Sequence, residues 1–407
     1  MDSKSNILRA PHILLPKKGV DLSRFAVIAC DQFTSQVDYW NHLKTWIGAA
    51  PSAFKMIFPE AYLPLVDNAA YIHQINQTID EYLKTNVLED IGECFILVER
   101  KTPFVPRRLG LMMSIDLEAY TFEKGLHSPI RASEATILDR LPPRLKIREH
   151  APVEIPHALL LVDDPKKEII EGLYARRNEF PCVYDFELNQ NGGHLRGYKI
   201  TDTKNVIQAF YNLVKGKKDD LLFIVGDGNH SIATAKAHWD KLKVGLSEEE
   251  RKTHPARYTL AEVINLYDDG LLFEPIHRVV FHAGEDFIPG LEKVLTGDYH
   301  GALYTHTTGK IPQRMPMNSP LAYKIVQDYV DGYVKSHTGS HVDYIHGVKD
   351  LFDIADANPD AVAIEMPVVT KSDIFAYIAA GDVLPRKCFS MGHAPEKRYY
   401  LESKRII

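Results

Sequence analysis

Apolar positions along the chain recur with two periods, and each period predicts a different element. Between residues 70 and 88 they recur every three to four positions, which indicates one face of a helix. Short continuous apolar runs predict buried strands instead. Such runs lie at residues 25–29, 94–98, 109–115, 158–162, 221–225, 259–266 and 279–281. Further helices are predicted at residues 206–214, 321–334 and 374–380.

Turn residues indicate that strands and helices do not simply alternate. Asn191, Gly192 and Gly193 separate strand-like segments at residues 183–186 and 195–200, which predicts a β-hairpin. Hairpins mixed with helices favour an α+β fold with mixed sheets over a doubly wound parallel sheet.

A polar stretch divides the chain. Residues 247–254 are almost entirely polar or charged, which predicts a linker. We therefore expect an N-terminal lobe at residues 1–250 and a C-terminal lobe at residues 251–407, with the alternative that the two lobes interleave.

Composition is that of a soluble globular protein. Apolar residues make up 45% of the 407 residues and charged residues 25%, which is the usual balance. The net charge of -6 opposes the phosphate contacts on which non-specific nucleic-acid binding depends, so we expect no nucleic-acid partner. The sequence has neither a long apolar run nor a signal-peptide pattern, so we expect no membrane association. The four cysteines are widely spaced, which is typical of a cytoplasmic protein.

One predicted strand end carries more polar groups than a turn requires. Residues 221–242 read LLFIVGDGNHSIATAKAHWDKL, and the strand leads through two glycines into a predicted helix. Gly226 and Gly228 permit positive φ and a close approach of a ligand to the backbone. If the helix begins near Asn229, its first amides and the positive end of its dipole form an anion site. The pattern predicts a phosphate-binding turn.

The side chains of this turn have complementary chemistry. Asp227 could hold Mg²⁺ or accept a proton, and His230 could donate or carry one. Ser231 and Thr234 offer hydroxyls to a phosphate. Lys236 offers a positive charge one to two helical turns further on. Together these groups predict a site for a phosphorylated ligand.

A purely structural interpretation of the turn is the alternative. In it, Asp227 or Asn229 only caps the following helix and His230 only packs. Other chemistries are not indicated, since the sequence has no Walker G-x-x-x-x-G-K-S/T element, no G-x-S-x-G elbow and no G-x-G-x-x-G after a strand. No H-E-x-x-H element or cluster of Cys and His indicates zinc. Four adjacent polar groups favour ligand binding.

A second predicted strand also ends in polar residues. The run at residues 25–29 is followed by Asp31, Gln32 and Ser35. Pockets form at such strand ends, so Asp31 is a candidate acid, and Gln32 and Ser35 are candidate substrate contacts. The alternative is that Ser35 caps the next helix. If this strand lies close to the one ending at Asp227, both acids line one pocket, one substrate length or on the order of 10 Å apart.

Charged residues elsewhere are candidates for binding a substrate anion. They are Glu134, Arg140, His277, Arg278 and Lys387. The first two belong to a dense polar run at residues 131–148, for which a solvated face is the alternative. We expect Arg278, or an arginine of this run, to anchor a substrate carboxylate. For His277 and Arg278 the alternative is a surface pair.

Six blocks of the sequence carry a resemblance to a known family. GDGNHS at residues 226–231 resembles a D-G-H-H-R element, and AVIACDQFTSQ at 26–36 sits where the family has A-P-P-Y-D-V. RRLGLMMSIDLEAY (107–120), with HSPIRASEATILDRLPPRLKIRE (127–149), resembles an R-x-G-L strand and an H-E-x-T-x-x-x-x-x-D-R-L element. LYDDGLLFEPIHRVV, followed later by GDVLPRKCFS, resembles D-D-P-G-L-x-x-x-P-T-H-R-L and M-P-P-K-S-T. Order and spacing agree with a bacterial and archaeal family, domain-of-unknown-function family ten-fifteen.

This family is in turn similar to the ParB/sulfiredoxin-like superfamily, which includes the free serine kinases. The resemblance implies a nucleotide-binding core with a second lobe, in which the D-G-H-H-R turn cradles nucleotide phosphates. Residues Gly228, Asn229, His230 and Ser231 would then hold phosphates, and Asp227 would sit by the metal or the transferred group. An acid near the start of the fold serves as the base in the kinases, and Asp31 is the candidate here.

Two residues depart from the family pattern. Asn229 replaces the first His, and its amide can still donate a hydrogen bond. Ser231 replaces the Arg, so a guanidinium fork on phosphate is lost. Lys236 or a distant Arg would have to compensate.

Three hypotheses about function follow from the residues and the resemblance. The first is a kinase that transfers a phosphoryl group from ADP or ATP, with Mg²⁺, to a free hydroxyl compound such as serine, which Asp31 or His230 activates. The second is a regulatory protein that binds a nucleotide as a switch. The third is a phosphatase or other hydrolase that uses the same anion site. Turnover separates the three, and a homodimer remains open.

Overall fold

The computed structural model describes residues 7–134, 141–385 and 387–407. Its strands are β1 (Leu8–Arg9), β2 (His12–Pro16), β3 (Val27–Ile28), β4 (Leu88–Glu93), β5 (Phe95–Lys101), β6 (Arg108–Asp116), β7 (Tyr120–Thr121), β8 (Ile130–Ala132), β9 (Val153–Glu154), β10 (Leu159–Val162), β11 (Cys182–Leu188), β12 (Gly193–Ile200), β13 (Phe223–Asp227), β14 (Tyr258–Asn265), β15 (Phe273–Phe281), β16 (Asp298–Thr305), β17 (Gly309–Met315), β18 (His341–His346), β19 (Val362–Glu365), β20 (Phe389–Met391), β21 (Tyr399–Tyr400) and β22 (Lys404–Arg405).

The α-helices complete the described secondary structure, apart from short 3₁₀ turns. They are α1 (Leu22–Phe25), α2 (Val37–Ile47), α3 (Asn68–Lys84), α4 (Leu141–Arg148), α5 (Ile170–Ala175), α6 (Thr203–Val214), α7 (Asn229–Leu242), α8 (Glu248–Thr253), α9 (Phe287–Val294), α10 (Ser319–Ser336), α11 (Val348–Ala357) and α12 (Lys371–Ala379).

The described residues form two compact units. The larger unit contains the described residues up to Ala132, residues 141–271 and His393–Ile407. The smaller unit contains Ser133, Glu134 and the described part of Leu272–Gly392. The chain therefore passes from the larger unit to the smaller one and returns twice, once near residue 134 and once over residues 272–392.

These units divide the chain differently from the lobes expected at residues 1–250 and 251–407. The reason is β14, which pairs with β6 on one side and β10 on the other and so lies inside the sheet of the larger unit. The polar stretch at residues 247–254 is not a linker but contains α8. Ser247 and Glu250 form a capping box, in which each side chain accepts a hydrogen bond from the other's backbone amide.

One large mixed sheet forms the frame of the larger unit. Its strand order is β11-β12-β5-β6-β14-β10-β13-β8-β7, and β1 pairs with β6. The pairs β10–β14, β13–β8 and β7–β8 are parallel, and the other pairs are antiparallel. A sheet with both kinds of pairing confirms the predicted α+β fold class.

Alternate residues of the central strands belong to two separate cores. In β5, Phe95 and Leu97 join one apolar cluster, whereas Ile96 and Val98 join the other. All residues of β6 and β14 are buried. Because apolar side chains pack on both faces, these strands read in the sequence as continuous apolar runs.

The C-terminal segment (residues 393–407) packs within the larger unit. Its strand β21 pairs with β3, and its strand β22 pairs with β9. The amide of Ala29 also donates to the carbonyl of Arg398 at 2.9 Å. These contacts hold the C-terminal segment beside the strand that leads to Asp31.

The smaller unit has its own antiparallel sheet. Its strand order is β17-β16-β19-β15-β18, and β20 pairs with the start of β15. Helix α11 buries Leu351 and Ala355 against Val279 and Ala363 of this sheet. The apolar cluster gives the smaller unit a core of its own.

Most of the predicted elements are present, including the hairpin of β11 and β12 and the helix α3. The prediction of a strand at residues 25–29 is wrong in part. Asp21 accepts hydrogen bonds from the amides of Ser23 and Arg24 and so starts helix α1, which leaves only Val27 and Ile28 as strand. Among the described residues, no helix has the length and apolar content that a membrane crossing requires.

Candidate functional site

The predicted turn between strand and helix is present. Strand β13 ends at Asp227, and helix α7 begins at Asn229. Gly228, between them, is in the left-handed region with φ 76° and ψ 29°. A Cβ atom at this position would also lie 2.9 Å from the Cα of Ala158. Glycine is therefore required for both the backbone conformation and the close approach of a neighbouring strand.

The start of α7 differs from the purely structural interpretation of the turn. Among the described residues, no side chain caps this helix. The carbonyl of Gly228 accepts hydrogen bonds from the amides of Ser231 and Ile232 instead. Neither Asp227 nor Asn229 is a side-chain cap, and the positive end of the helix dipole lies at the turn.

Asp227 forms an ion pair with a residue from the C-terminal segment. Its Oδ2 lies 2.9 Å from Nζ of Lys397, and its Oδ1 accepts a hydrogen bond from the amide of Gly228 at 3.0 Å. Burial alone would raise the pKa of Asp227, but the ammonium of Lys397, together with His157 and the Gly228 amide, holds that pKa below its ordinary value. The turn therefore carries a carboxylate and an ammonium side by side.

One imidazole lies near both predicted acids. Nε2 of His157 is 3.9 Å from Oδ2 of Asp31, whose Oδ1 accepts a hydrogen bond from Gln32. His157 precedes β10, in which Leu159 pairs with Asp227 of β13, and His157 helps to lower the pKa of Asp227. The structure thus relates Asp31 and Asp227 through a shared neighbour.

A tyrosine fixes the orientation of this imidazole. The hydroxyl of Tyr400 lies 2.7 Å from Nδ1 of His157 and 3.1 Å from Sγ of Cys30. Burial, with Cys30 and Asp31 close by, raises the pKa of Tyr400 far above its ordinary value, so its proton stays on the hydroxyl. The hydroxyl oxygen lies nearer to Nδ1 than to Sγ, so Nδ1 is held at the hydroxyl and Nε2 is the ring nitrogen that faces Asp31.

Buried ion pairs fix the C-terminal segment in this place. The guanidinium of Arg398 contacts the carboxylates of Glu262 and Glu402, and all three side chains are buried. Its Nε donates to the carbonyl of Pro156 at 3.1 Å, next to His157. The same arginine therefore holds the backbone segments that carry Lys397 and His157.

Two predicted phosphate ligands have partners within α7. The hydroxyl of Thr234 is buried and donates to the carbonyl of His230 at 2.7 Å. Nζ of Lys236 lies 2.7 Å from Oδ1 of Asp240. Lys236 is also seven residues past Asn229, a rise of about 10 Å along the helix. The roles of Thr234 and Lys236 stay predictions, and this geometry does not favour them.

The candidates near Asp31 and in the arginine run lie as follows. Gln32 is partly buried beside Asp31, whereas Ser35 is exposed and does not cap α2, which has no side-chain cap from the described residues. Arg140 lies outside the described residues. The other arginines of the run form ion pairs with acids: Arg131 with Asp219, Arg144 with Glu60 and Arg148 with Glu154.

Four of the predicted substrate contacts belong to the smaller unit. They are Glu134, His277, Arg278 and Lys387. Nδ1 of His277 accepts a hydrogen bond from the amide of Met366, and burial lowers the pKa of this imidazole to about 4. Arg278 is fully buried and lies over the ring of Tyr323. Lys387 is exposed. Their roles stay predictions, and the burial of Arg278 argues against direct contact with a substrate.

Sequence reasoning missed His157 and Lys397. His157 directly precedes the apolar run at residues 158–162, so the rule that drew attention to Asp31, a polar residue at a strand end, could have found it. No local signal marks Lys397, since its position depends on pairing between β21 and β3 across most of the chain.

Asp227 is suited to a magnesium ion only in the company of a phosphate ligand. Among the described residues, no group of three or more His, Cys, Asp or Glu side chains could hold a metal ion. Mg²⁺ often takes one or two carboxylates and completes its shell with substrate phosphates and water. Asp227 would be the carboxylate ligand in such an arrangement.

Solved structures give only distant likenesses. A free serine kinase in complex with ADP is 11% identical, with a TM-score of 0.39 over 71% of this chain and 91% of that chain. A free serine kinase in complex with AMP is 9% identical, with a TM-score of 0.40 over 71% and 90% of the two chains. A conserved hypothetical protein from Pyrococcus furiosus is 10% identical, with a TM-score of 0.34 over 71% and 90%. Likeness at this level carries no argument about activity.

Sequence comparison gives a clearer result at the level of the family. No curated protein matches the chain. Residues 14–355 match the family described as protein of unknown function (DUF1015), which agrees with the resemblance of the sequence blocks. Because the match covers most of the chain, the protein belongs to the DUF1015 family.

Proposed function

We propose that the protein is a nucleotide-dependent phosphotransferase that acts on the hydroxyl group of a small molecule such as serine. The observation that carries this proposal is the combination at the turn: the N-terminus of α7 directly after β13, Asp227 paired with Lys397, and Asp31 related to Asp227 through His157. Phosphoryl transfer depends mainly on positioning and on neutralising charge, and these groups are of the kinds it requires.

The nucleotide's phosphates would lie on residues 228–231. The N-terminal end of a helix carries a partial positive charge of about half a unit, and its first amides point toward an anion. Mg²⁺, held by Asp227 and by phosphate oxygens, would supply further positive charge there. Asn229, His230 and Ser231 form the first turn of α7 and are the side chains nearest to such a ligand.

The acceptor hydroxyl would be activated by Asp31. As the hydroxyl oxygen forms its bond to the terminal phosphorus, the bond between that phosphorus and the bridging oxygen of the nucleotide breaks. The hydroxyl proton passes to the Asp31 carboxylate, and the shortened nucleotide leaves. His157, whose Nε2 lies 3.9 Å from Oδ2 of Asp31, would orient that carboxylate before transfer. His157 acts here as a positioning residue.

Nucleotide binding tests the proposal. Thermal unfolding is measured with ADP, ATP, CTP or GTP, each with and without Mg²⁺. A nucleotide at a hundred times its Kd should add about 2.7 kcal/mol to the free energy of unfolding, which raises the Tm by several degrees. We expect this for at least one nucleotide with Mg²⁺.

Failure of every nucleotide to stabilise the protein, with and without Mg²⁺, would contradict the proposal. Binding followed by no turnover would instead favour a nucleotide switch. Release of inorganic phosphate that does not depend on an acceptor would favour a hydrolase.

A further inference from the structure

Asp227 places a negative charge at the turn that is proposed to bind phosphates. Asp227 lies directly before the helix start, and its lowered pKa keeps it ionised at neutral pH. A carboxylate at this point repels the phosphates that the helix start attracts. Ser231 and Asn229 carry no charge with which to offset it. A cation supplied by another segment of the chain would offset this repulsion.

Lys397 is placed to be that cation. Its Nζ is 2.9 Å from Oδ2 of Asp227, and its side chain is 13% exposed, compared with 25% for Asp227. An ammonium has three donors, and one contact with a carboxylate uses one of them. The backbone of Lys397 is held in place, since its carbonyl accepts a hydrogen bond from the buried Arg100 at 2.6 Å. The charge is therefore at the turn before any ligand arrives.

Buried arginines hold the C-terminal segment on both sides of Lys397. Arg100 and Arg108, both buried in the large sheet, donate to the carbonyls of Lys397 and Glu396. The next residue, Arg398, is held by its own ion pairs with two buried carboxylates. Three buried guanidinium groups thus fix a short stretch whose side chain at position 397 reaches Asp227.

We propose that Lys397 is a phosphate-binding residue of the nucleotide site, delivered to the turn by the C-terminal segment. This proposal rests on the proposed function. With a nucleotide bound, the ammonium of Lys397 would contact a phosphate oxygen, and the Asp227 carboxylate would be available to hold Mg²⁺. Without a nucleotide, the site contains the Asp227–Lys397 ion pair. In that state the Lys397 ammonium takes the place of Mg²⁺ at Asp227, and the Asp227 carboxylate takes the place of the phosphate at Lys397.

Binding of inorganic tripolyphosphate, which needs no nucleoside and no metal, tests Lys397 directly. Calorimetric titrations without Mg²⁺ compare the wild type with Lys397→Gln, Lys397→Arg and the control Lys243→Gln. Lys243 lies just beyond the far end of α7 and pairs with Glu118 and Asp240, so its change removes a similar ion pair away from the turn. We expect Lys397→Gln to weaken binding about tenfold or more, Lys397→Arg to retain most of it, and Lys243→Gln to match the wild type.

A second comparison remains informative if Lys397→Gln folds poorly. Asp227→Asn should bind tripolyphosphate at least as tightly as the wild type, because the repelling carboxylate is gone. Adding Lys397→Gln to Asp227→Asn leaves no unpaired charge and should lower the affinity about tenfold or more. Equal affinities for these two variants would overturn the proposal.

Parallel titrations with Mg²⁺ and the nucleotides distinguish the role of Lys397 from the proposed function. A wild type that binds nucleotides, with Lys397→Gln unchanged from it, contradicts the role of Lys397 and leaves the proposed function standing. A wild type that binds tripolyphosphate through Lys397 but binds no nucleotide supports the anion site and contradicts the proposed function. A wild type that binds neither contradicts both.

Discussion

Asp227→Asn is expected to abolish phosphate transfer while leaving the protein folded. The change keeps the shape of the side chain and one oxygen atom. In the wild type, Oδ1 accepts a hydrogen bond from the Gly228 amide at 3.0 Å, and the oxygen of Asn can accept the same bond. The change removes the negative charge that would hold Mg²⁺ beside the phosphates. Loss of one preorganised charged group of this kind lowers kcat by about 10²–10³-fold. The Tm should fall by only a few degrees, because Lys397 is left partly exposed to water.

The measurement is labelled-phosphate transfer from the nucleotide, with the Tm recorded for the same preparations. Asp240→Asn is the matched control, since Asp240 lies on α7, the helix after the turn, and like Asp227 pairs with lysine, here Lys236 and Lys243. The control should transfer phosphate at the wild-type rate. An Asp227→Asn protein that unfolds readily, but whose folded fraction is fully active, would show that Asp227 has a structural role only.

Arg398→Met is expected to cause the largest loss of stability. Arg398, Glu262 and Glu402 are 4%, 3% and 0% exposed, so the change leaves two carboxylates buried without their cation. Breaking a buried ion pair in this way costs about 3–5 kcal/mol. The hydrogen bond to Pro156 is lost as well, and the C-terminal segment should detach from the turn.

Urea unfolding followed by tryptophan fluorescence measures this effect in the larger unit alone. Trp40, Trp46 and Trp239 are the tryptophans of the chain, and all three lie in that unit. Arg196→Met is the control, because Arg196 is 37% exposed in its pair with Asp185, and exposed pairs contribute less than about 1 kcal/mol.

A triple variant separates charge from packing in the Arg398 cluster. Combining Arg398→Met with Glu262→Gln and Glu402→Gln removes all three charges and should recover much of the lost stability. If Arg398→Met alone lowers the free energy of unfolding by no more than the Arg196→Met control does, the buried ion pairs do not hold the C-terminal segment.

The turn itself could be predicted from the sequence because its signals are local. Five apolar residues before Gly226 indicate a buried strand, and Gly228 is needed where the chain reverses into α7. Other local signals identified the hairpin, through its turn residues, and α3, through the spacing of its apolar residues. Local reasoning failed at residues 247–254, where polarity suggested a linker although Ser247 and Glu250 form a capping box that favours a helix.

The partners of the turn could not be predicted because they come from distant segments. Lys397 reaches Asp227 through a C-terminal strand that pairs with β3, and His157 relates Asp31 to Asp227 only once β10 and β13 are neighbours. Lys236 was the nearer cation in sequence, but helix geometry turns it toward Asp240. The division into compact units also depends on distant pairing, since β14 belongs to a sheet formed mainly by earlier residues.

Phosphorus NMR of the wild-type protein tests the central claim, that the turn supports phosphoryl transfer to a hydroxyl. The protein is incubated with Mg²⁺, ADP or ATP, and a set of hydroxyl metabolites that includes free serine. We expect the terminal phosphate signal of one nucleotide to decline as a phosphate monoester signal appears, with neither change in the Asp227→Asn variant. Nucleotide that remains intact, or that yields only inorganic phosphate whether or not an acceptor is present, would contradict the claim.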